Sequence, residues 1–218
     1  PTGFSDGGLS GTCDSITARA PSPCPLELFC VTHIDQDHIE GAVKLLANLP
    51  GGITLADVWH NGYKHIEQSA RLCPAQAEKL QAAIVLHARA PWNAAFSGGP
   101  AVVPSRGPLP EIALPGGLRL TLLSPGPPQL TKLRKKWEAE CAKAGILPGV
   151  TESGEAALQK DKKLRPRRLG ATLDVEALAA EPFKSDSAPA NGASIAFLAE
   201  YDKDRKSTRL NSSHVSQS

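Results

Sequence analysis

The chain has 218 residues, of which 41% are hydrophobic and 21% charged, enough apolar material for one domain with a sizeable core plus short appendages. Its 24 basic and 22 acidic side chains leave a net charge of +2, so neither a basic field for nucleic acid nor an acidic field for a basic partner covers the molecule. Five scattered cysteines without a C-x-x-C pair argue against a disulfide framework or a Cys-rich zinc site and point to a reducing, cytoplasmic setting.

No apolar stretch reaches the ~18 residues of a transmembrane helix. The chain starts Pro1-Thr2-Gly3 without Met, which is read as an N-terminus processed, trimmed or lost. The glycine-rich segment 3–12 reads as a turn following a strand, and 20–25 as a proline-punctuated loop. Leu26 to Thr32 (LELFCVT) has the length and composition of a buried strand, and it runs directly into VTHIDQDHIEG. From Ile39, apolar residues recur at helical spacing until Pro50-Gly51-Gly52. A strand is expected over Thr54–Trp59, then a polar turn at His60-Asn61-Gly62, then a helix over Pro74–Ala88.

Residues 102–110 form a proline-rich connector. Ile112–Leu114 and Leu118–Leu123, joined by Pro-Gly-Gly, read as paired strands, and Gln129–Ala144 as an amphipathic helix carrying Trp137. Residues 151–190 read as a long polar loop. Its run Lys160–Arg168 (KDKKLRPRR) lacks the interleaved aromatics of a nucleic-acid site, so a solvated loop is the simpler reading. Ser194–Tyr201 (SIAFLAEY) is a strand. The segment 206–218 has no apolar periodicity and resembles translated adaptor or vector sequence, so a native unit of residues 1–205 with a foreign tail is expected.

The chemistry concentrates at His33, Asp35, Asp37 and His38. A strand ending in a loop puts side chains at the rim of a sheet, and a following helix steadies the loop. Imidazole and carboxylate together suit zinc, manganese or non-haem iron, and four such groups could begin a two-metal centre. One acid would suffice to cap the helix, and either Asp35 or Asp37 could do so. Capping leaves the other three residues unexplained. His60 and His65 read more simply as polar turn residues near a cleft than as metal or substrate contacts. His87 reads as a half-buried structural residue, and Trp59 and Trp137 as core anchors.

THIDQDHIEG resembles the H-x-H-x-D-H signature of the metallo-β-lactamase superfamily, with Asp35 in place of the usual second histidine. That H-x-D-x-D-H form is similar to the branch containing the extracytoplasmic domain of competence-type DNA-uptake proteins and bacterial stand-alone relatives. Asp6-Gly7-Gly8, VWHNGYKH (Val58–His65), LRLTLLSP (Leu118–Pro125) and NGASIAFLAEY (Asn191–Tyr201) look like further family segments. The resemblance implies a mixed α/β (α+β) fold, an αββα sandwich truncated after its first half. It also implies a metal-dependent hydrolase using a metal-bound hydroxide on a phosphodiester, ester or amide, in a small-molecule or phosphodiester substrate.

Carried over, His33 and Asp35 would face a first metal, and Asp37 and His38 a second. Asp37 would also act catalytically by holding the hydroxide. No family motif fixes His60, whose functional reading, behind the metal ligands, rests on its place after a strand. One or two Zn²⁺ ions are implied, and the Asp35 departure keeps Mn²⁺ or iron open. The family's downstream "TGD"-type aspartate and later histidine have no counterpart before residue 206, so weak or absent hydrolysis is expected. A non-catalytic module binding anions or nucleic acid through Lys160–Arg168, or a gene fragment without function, are the alternatives.

Overall fold

Cys24–Leu26 (β1) and Phe29–Cys30 (β2) run parallel to Ile53–Leu55 (β3) and Val58–Trp59 (β4), with one register held from Cys24 opposite Ile53 to Cys30 opposite Trp59. They are two strands, each broken in the middle. The Ala56 N–H to Leu26 carbonyl bond (2.9 Å) and the Phe29 N–H to Asp57 carbonyl bond (3.0 Å) carry the ladder across the breaks. The computed structural model describes residues 18, 23–66, 75–144, 188–201 and 204–206.

The crossover between the two parallel strands is the helix Gln36–Ala47 (α1). Parallel strands require such a crossover, and covering both faces makes their sequence apolar rather than alternating. Val58 and Trp59 show this: both are buried, and they face opposite sides. Val58 joins Val31, Leu55, Ile39 and Leu46 in a cluster under the helices, while Trp59 packs with Leu120, Leu122, Ile195 and Phe197 on the other side. Beyond β4 the ladder continues through a bridge between Val58 and Trp92. There the Val58 N–H donates to the Pro91 carbonyl and the Asn93 N–H donates to the Val58 carbonyl.

Tyr63–Ile66 (α2) is a single turn. Ala75–His87 (α3) packs on α1, and Pro127–Ala144 (α4) adds Leu130, Leu133 and Trp137 to the same cluster. Glu111–Ala113 (β5), Leu118–Ser124 (β6), Ala196–Tyr201 (β7) and Asp204–Lys206 (β8) form an antiparallel sheet in that order. Its inner face meets Trp59, Leu28 and Cys30. The β5–β6 connection turns through Pro115–Gly117, where Gly116 (φ 83°) and Gly117 (φ 91°) take left-handed backbone that other residues resist. The short helix Pro189–Gly192 (α5) leads into β7. The Ile195 N–H to Thr32 carbonyl bond (2.9 Å) ties that entry to the end of the β1–β2 strand.

The chain is thus mixed α/β, with helices, a parallel ladder and an antiparallel sheet. Several expected bounds shift. The strands expected at Leu26–Thr32 and Thr54–Trp59 are each interrupted, and α1 starts at Gln36 rather than Ile39. The expected polar turn at His60-Asn61-Gly62 is instead buried and leads into α2. β8 carries the return from β7 through Lys206, the first residue of the segment read as foreign. The Asp6-Gly7-Gly8 turn, the run Lys160–Arg168 and segment 207–218 lie outside the described residues. Among the described residues no helix is long and apolar enough to cross a membrane.

Candidate functional site

His33 and His60 leave adjacent parallel strands at the same, carboxyl-terminal, end. This is where open α/β sheets build their sites, because the strands stop there and loops begin. His33 is buried, at 3% exposure. Its Nδ1 lies 2.9 Å from the Thr32 hydroxyl and its Nε2 lies 3.8 Å from Asp35 Oδ2. A hydroxyl can accept from Nδ1–H, and in that tautomer the Nε2 lone pair is the one turned toward the Asp35 carboxylate.

Asp35 occupies the N-cap position of α1, with extended backbone (φ −68°, ψ 144°), yet its side chain makes no capping hydrogen bond. An aspartate there ordinarily accepts from the N2 or N3 amide. Capping therefore does not account for Asp35. Asp37 and His38 fall in the first turn of α1, not in an irregular loop as expected, because the helix begins three residues early. Their side chains lie outside the described residues.

Whether the described pair suits a divalent ion can be asked of its geometry. Donors each about 2.1 Å from a shared tetrahedral ion stand about 3.4 Å apart. The 3.8 Å between His33 Nε2 and Asp35 Oδ2 is within a few tenths of that, and too long for a good hydrogen bond. The pair fits. Among the described residues, no group of three or more His, Cys, Asp or Glu side chains converges.

His60 is not the turn residue that its neighbours Asn61 and Gly62 suggest. It is 1% exposed, and its Nδ1 stands 3.1 Å from the Val31 carbonyl. A carbonyl only accepts, so Nδ1 carries the proton and Nε2 is bare, with no hydrogen-bond partner among the described residues. His65 has the opposite tautomer: the Gly62 N–H donates to its Nδ1 (3.1 Å), so the proton sits on Nε2, which also finds no hydrogen bond among the described residues. Burial pushes His60 down to about 4. Burial, then the charge of Lys64 and the proximity of His60, push His65 down to about 3.

Two asparagines fix this buried segment. Asn93 accepts from the His60 N–H (3.0 Å) and donates to the carbonyls of His60 (3.1 Å) and Gly99 (2.9 Å). Asn61 makes a two-way amide pair with the backbone of Ala101 (2.9 and 2.8 Å). Trp92 donates from Nε1 to the His60 carbonyl (2.8 Å), lies nearly parallel to the His60 ring and is met edge-on by His65. Glycine is required at position 62 because a Cβ there would come within 2.5 Å of the Trp92 ring. Sequence reading missed Thr32, Asn61, Asn93 and the burial of both histidines.

The two histidines predict acid lability with a definite sign. Each binds a proton more weakly folded than unfolded, where the ordinary value is 6.5. Their contribution is therefore complete above about pH 6.5 and lost as pH falls toward 4. For His60 alone the loss approaches ~3 kcal/mol at the acid end. Urea unfolding at a series of pH values should show stability falling steeply near pH ~5, with close to two protons taken up on unfolding. A flat profile between about pH 7 and about pH 4.5 would contradict the burial of the two rings in neutral form.

Comparisons with protein-family models, with curated proteins and with solved structures found no match to this chain.

Proposed function

We propose that this chain is a metal-dependent hydrolase of metallo-β-lactamase type, an αββα architecture whose first half is the helix-covered parallel ladder with its antiparallel partner sheet. The reading rests on the H-x-D-x-D-H resemblance, and one observation carries it: the N-cap aspartate Asp35, whose side chain makes no cap bond to its helix, stands 3.8 Å from His33 Nε2 at the carboxyl end of a parallel strand. His33, Asp35, Asp37 and His38 would hold one or two Zn²⁺ ions, or Mn²⁺ or iron.

A divalent ion bound there would polarise a scissile ester and bring the pKa of a water near ~7. Thr32 would hold the His33 ring through Nδ1, fixing which nitrogen faces the site. Asp35 would contribute negative charge where the commoner motif has a neutral imidazole, favouring harder ions. Asp37, in the first turn of α1, would orient and deprotonate the attacking water. His60 would stand behind the pair, its Nδ1 bond to the Val31 carbonyl stiffening the strand end that carries His33. Phosphodiesters and carboxylic esters are the substrate classes this chemistry serves.

The test is release of p-nitrophenolate from bis-p-nitrophenyl phosphate and p-nitrophenyl acetate with added Zn²⁺ or Mn²⁺. Metal-dependent turnover, however slow, is expected, and Asp37→Ala should remove it, a loss of at least about 100-fold. Turnover indifferent to metal, or unchanged in Asp37→Ala, would refute the assignment.

A further inference from the structure

A surface pocket of about 500 Å³ is lined in part by Trp92, outside the candidate metal site. Its walls are Ile84 and Val85 of α3 and Pro91, and the Trp92 indole forms part of its lining together with Lys64 and Arg89. That volume falls in the range of small-molecule sites, which are mostly apolar with a few placed polar groups.

The charge in this pocket is one-sided. Lys64 Nζ sits 4.0 Å from the centroid of the Trp92 ring, which holds the ammonium at the wall. No carboxylate lines the pocket, and neither Lys64 nor Arg89 forms an ion pair among the described residues. The carboxyl end of α3, which closes at His87, offers about half a negative charge, against two full positive ones. Among the described residues the lining is left net positive.

Arg89 adds an independent observation. It follows the end of α3 with φ 49°, in the left-handed region where glycine or asparagine normally ends a helix. An arginine there carries roughly 1 kcal/mol of backbone strain that glycine would avoid. The residue that takes this strained turn is also one of the two cations lining the pocket.

We propose that the pocket formed by Lys64, Arg89 and Trp92 binds a small anion carried on a flat apolar body, an aryl carboxylate or aryl phosphate monoester. The anionic group meets the ammonium and the guanidinium, whose fork suits two oxygens at once. The apolar body lies against Val85 and Pro91, beside the Lys64 ammonium that covers the Trp92 ring. The natural headgroup is whichever of the two anions binds more tightly.

The three tryptophans give a direct readout, because each indole N–H is a separate nitrogen-correlated NMR signal and Trp92→Phe assigns the one needed. Titration of the full chain with phenyl phosphate and with benzoate should shift the Trp92 signal saturably, and more weakly at high salt. Benzyl alcohol, the same body without charge, should leave it in place at equal concentration. Lys64→Gln and Arg89→Gln should each weaken binding roughly three- to tenfold, and the double variant should abolish it. Both side chains are exposed, and unchanged Trp59 and Trp137 signals in the variants would show that the fold is intact. An equal response to benzyl alcohol, an undiminished response in the double variant, or no Trp92 shift up to about 10 mM would overturn the proposal.

Discussion

Asn93→Ala is expected to lower the unfolding free energy by about 4 kcal/mol, much of the stability of an ordinary domain. Asn93 is fully buried, and its amide satisfies the His60 N–H and the carbonyls of His60 and Gly99. Alanine would leave the His60 N–H buried without that partner, at about 1–3 kcal/mol, and would cost the half-buried Gly99 carbonyl a bond worth about 0.5–1.5 kcal/mol. It would also have to adopt φ 56°, which asparagine tolerates and alanine resists by roughly 1 kcal/mol.

Asn93→Gly separates the two effects, since glycine accepts the backbone but cannot make the bonds. It should recover about 1 kcal/mol of the loss and no more. Urea unfolding of the two variants beside the parent chain measures both terms. A loss below about 1 kcal/mol in Asn93→Ala would mean that the asparagine clamp does not hold the segment after β4.

The same clamp explains where sequence reading succeeded and failed. Helices α1, α3 and α4 and the β5–β6 pair were legible because their signals are local: apolar spacing, a proline near a first turn, a Pro-Gly-Gly connection. His60-Asn61-Gly62 was misread for a local reason too, since Asn-Gly ordinarily marks an exposed turn. What buries it is not local. Asn93 and Ala101 reach it from distant parts of the chain, and Trp92 closes over it. Composition cannot carry that information.

The start of α1 failed differently. Gln36, Asp37 and His38 are polar, so apolar periodicity begins only at Ile39, whereas the backbone turns helical as soon as Asp35 ends the extended segment. Of the candidate site, the four residues could be picked out in sequence, but not the parts that orient them. Thr32 precedes the motif and looks like any strand residue. Its hydroxyl nevertheless sets the direction of the His33 ring.

Metal binding tests that orientation directly, without reference to turnover. Zn²⁺ titrated into the chain should bind with measurable heat and stabilise it against urea by about 2.7 kcal/mol at 100 times the dissociation constant. His33→Ala and Asp35→Ala each remove a donor, so affinity should fall at least about 100-fold and the added stability should vanish. Thr32→Val keeps shape and burial but leaves Nδ1 unsupported, and a 10- to 100-fold loss is expected from that change alone.

Asp35→His is the more discriminating variant, because it exchanges the carboxylate for the imidazole of the commoner motif. A softer, less anionic donor should raise Zn²⁺ affinity relative to Mn²⁺ by about tenfold or more. Equal Zn²⁺ affinity in Asp35→Ala and the parent chain would sink the assignment of Asp35 as a ligand. An unchanged metal preference in Asp35→His would show that position 35 faces no ion, and the 3.8 Å approach to His33 would then be a contact within the fold.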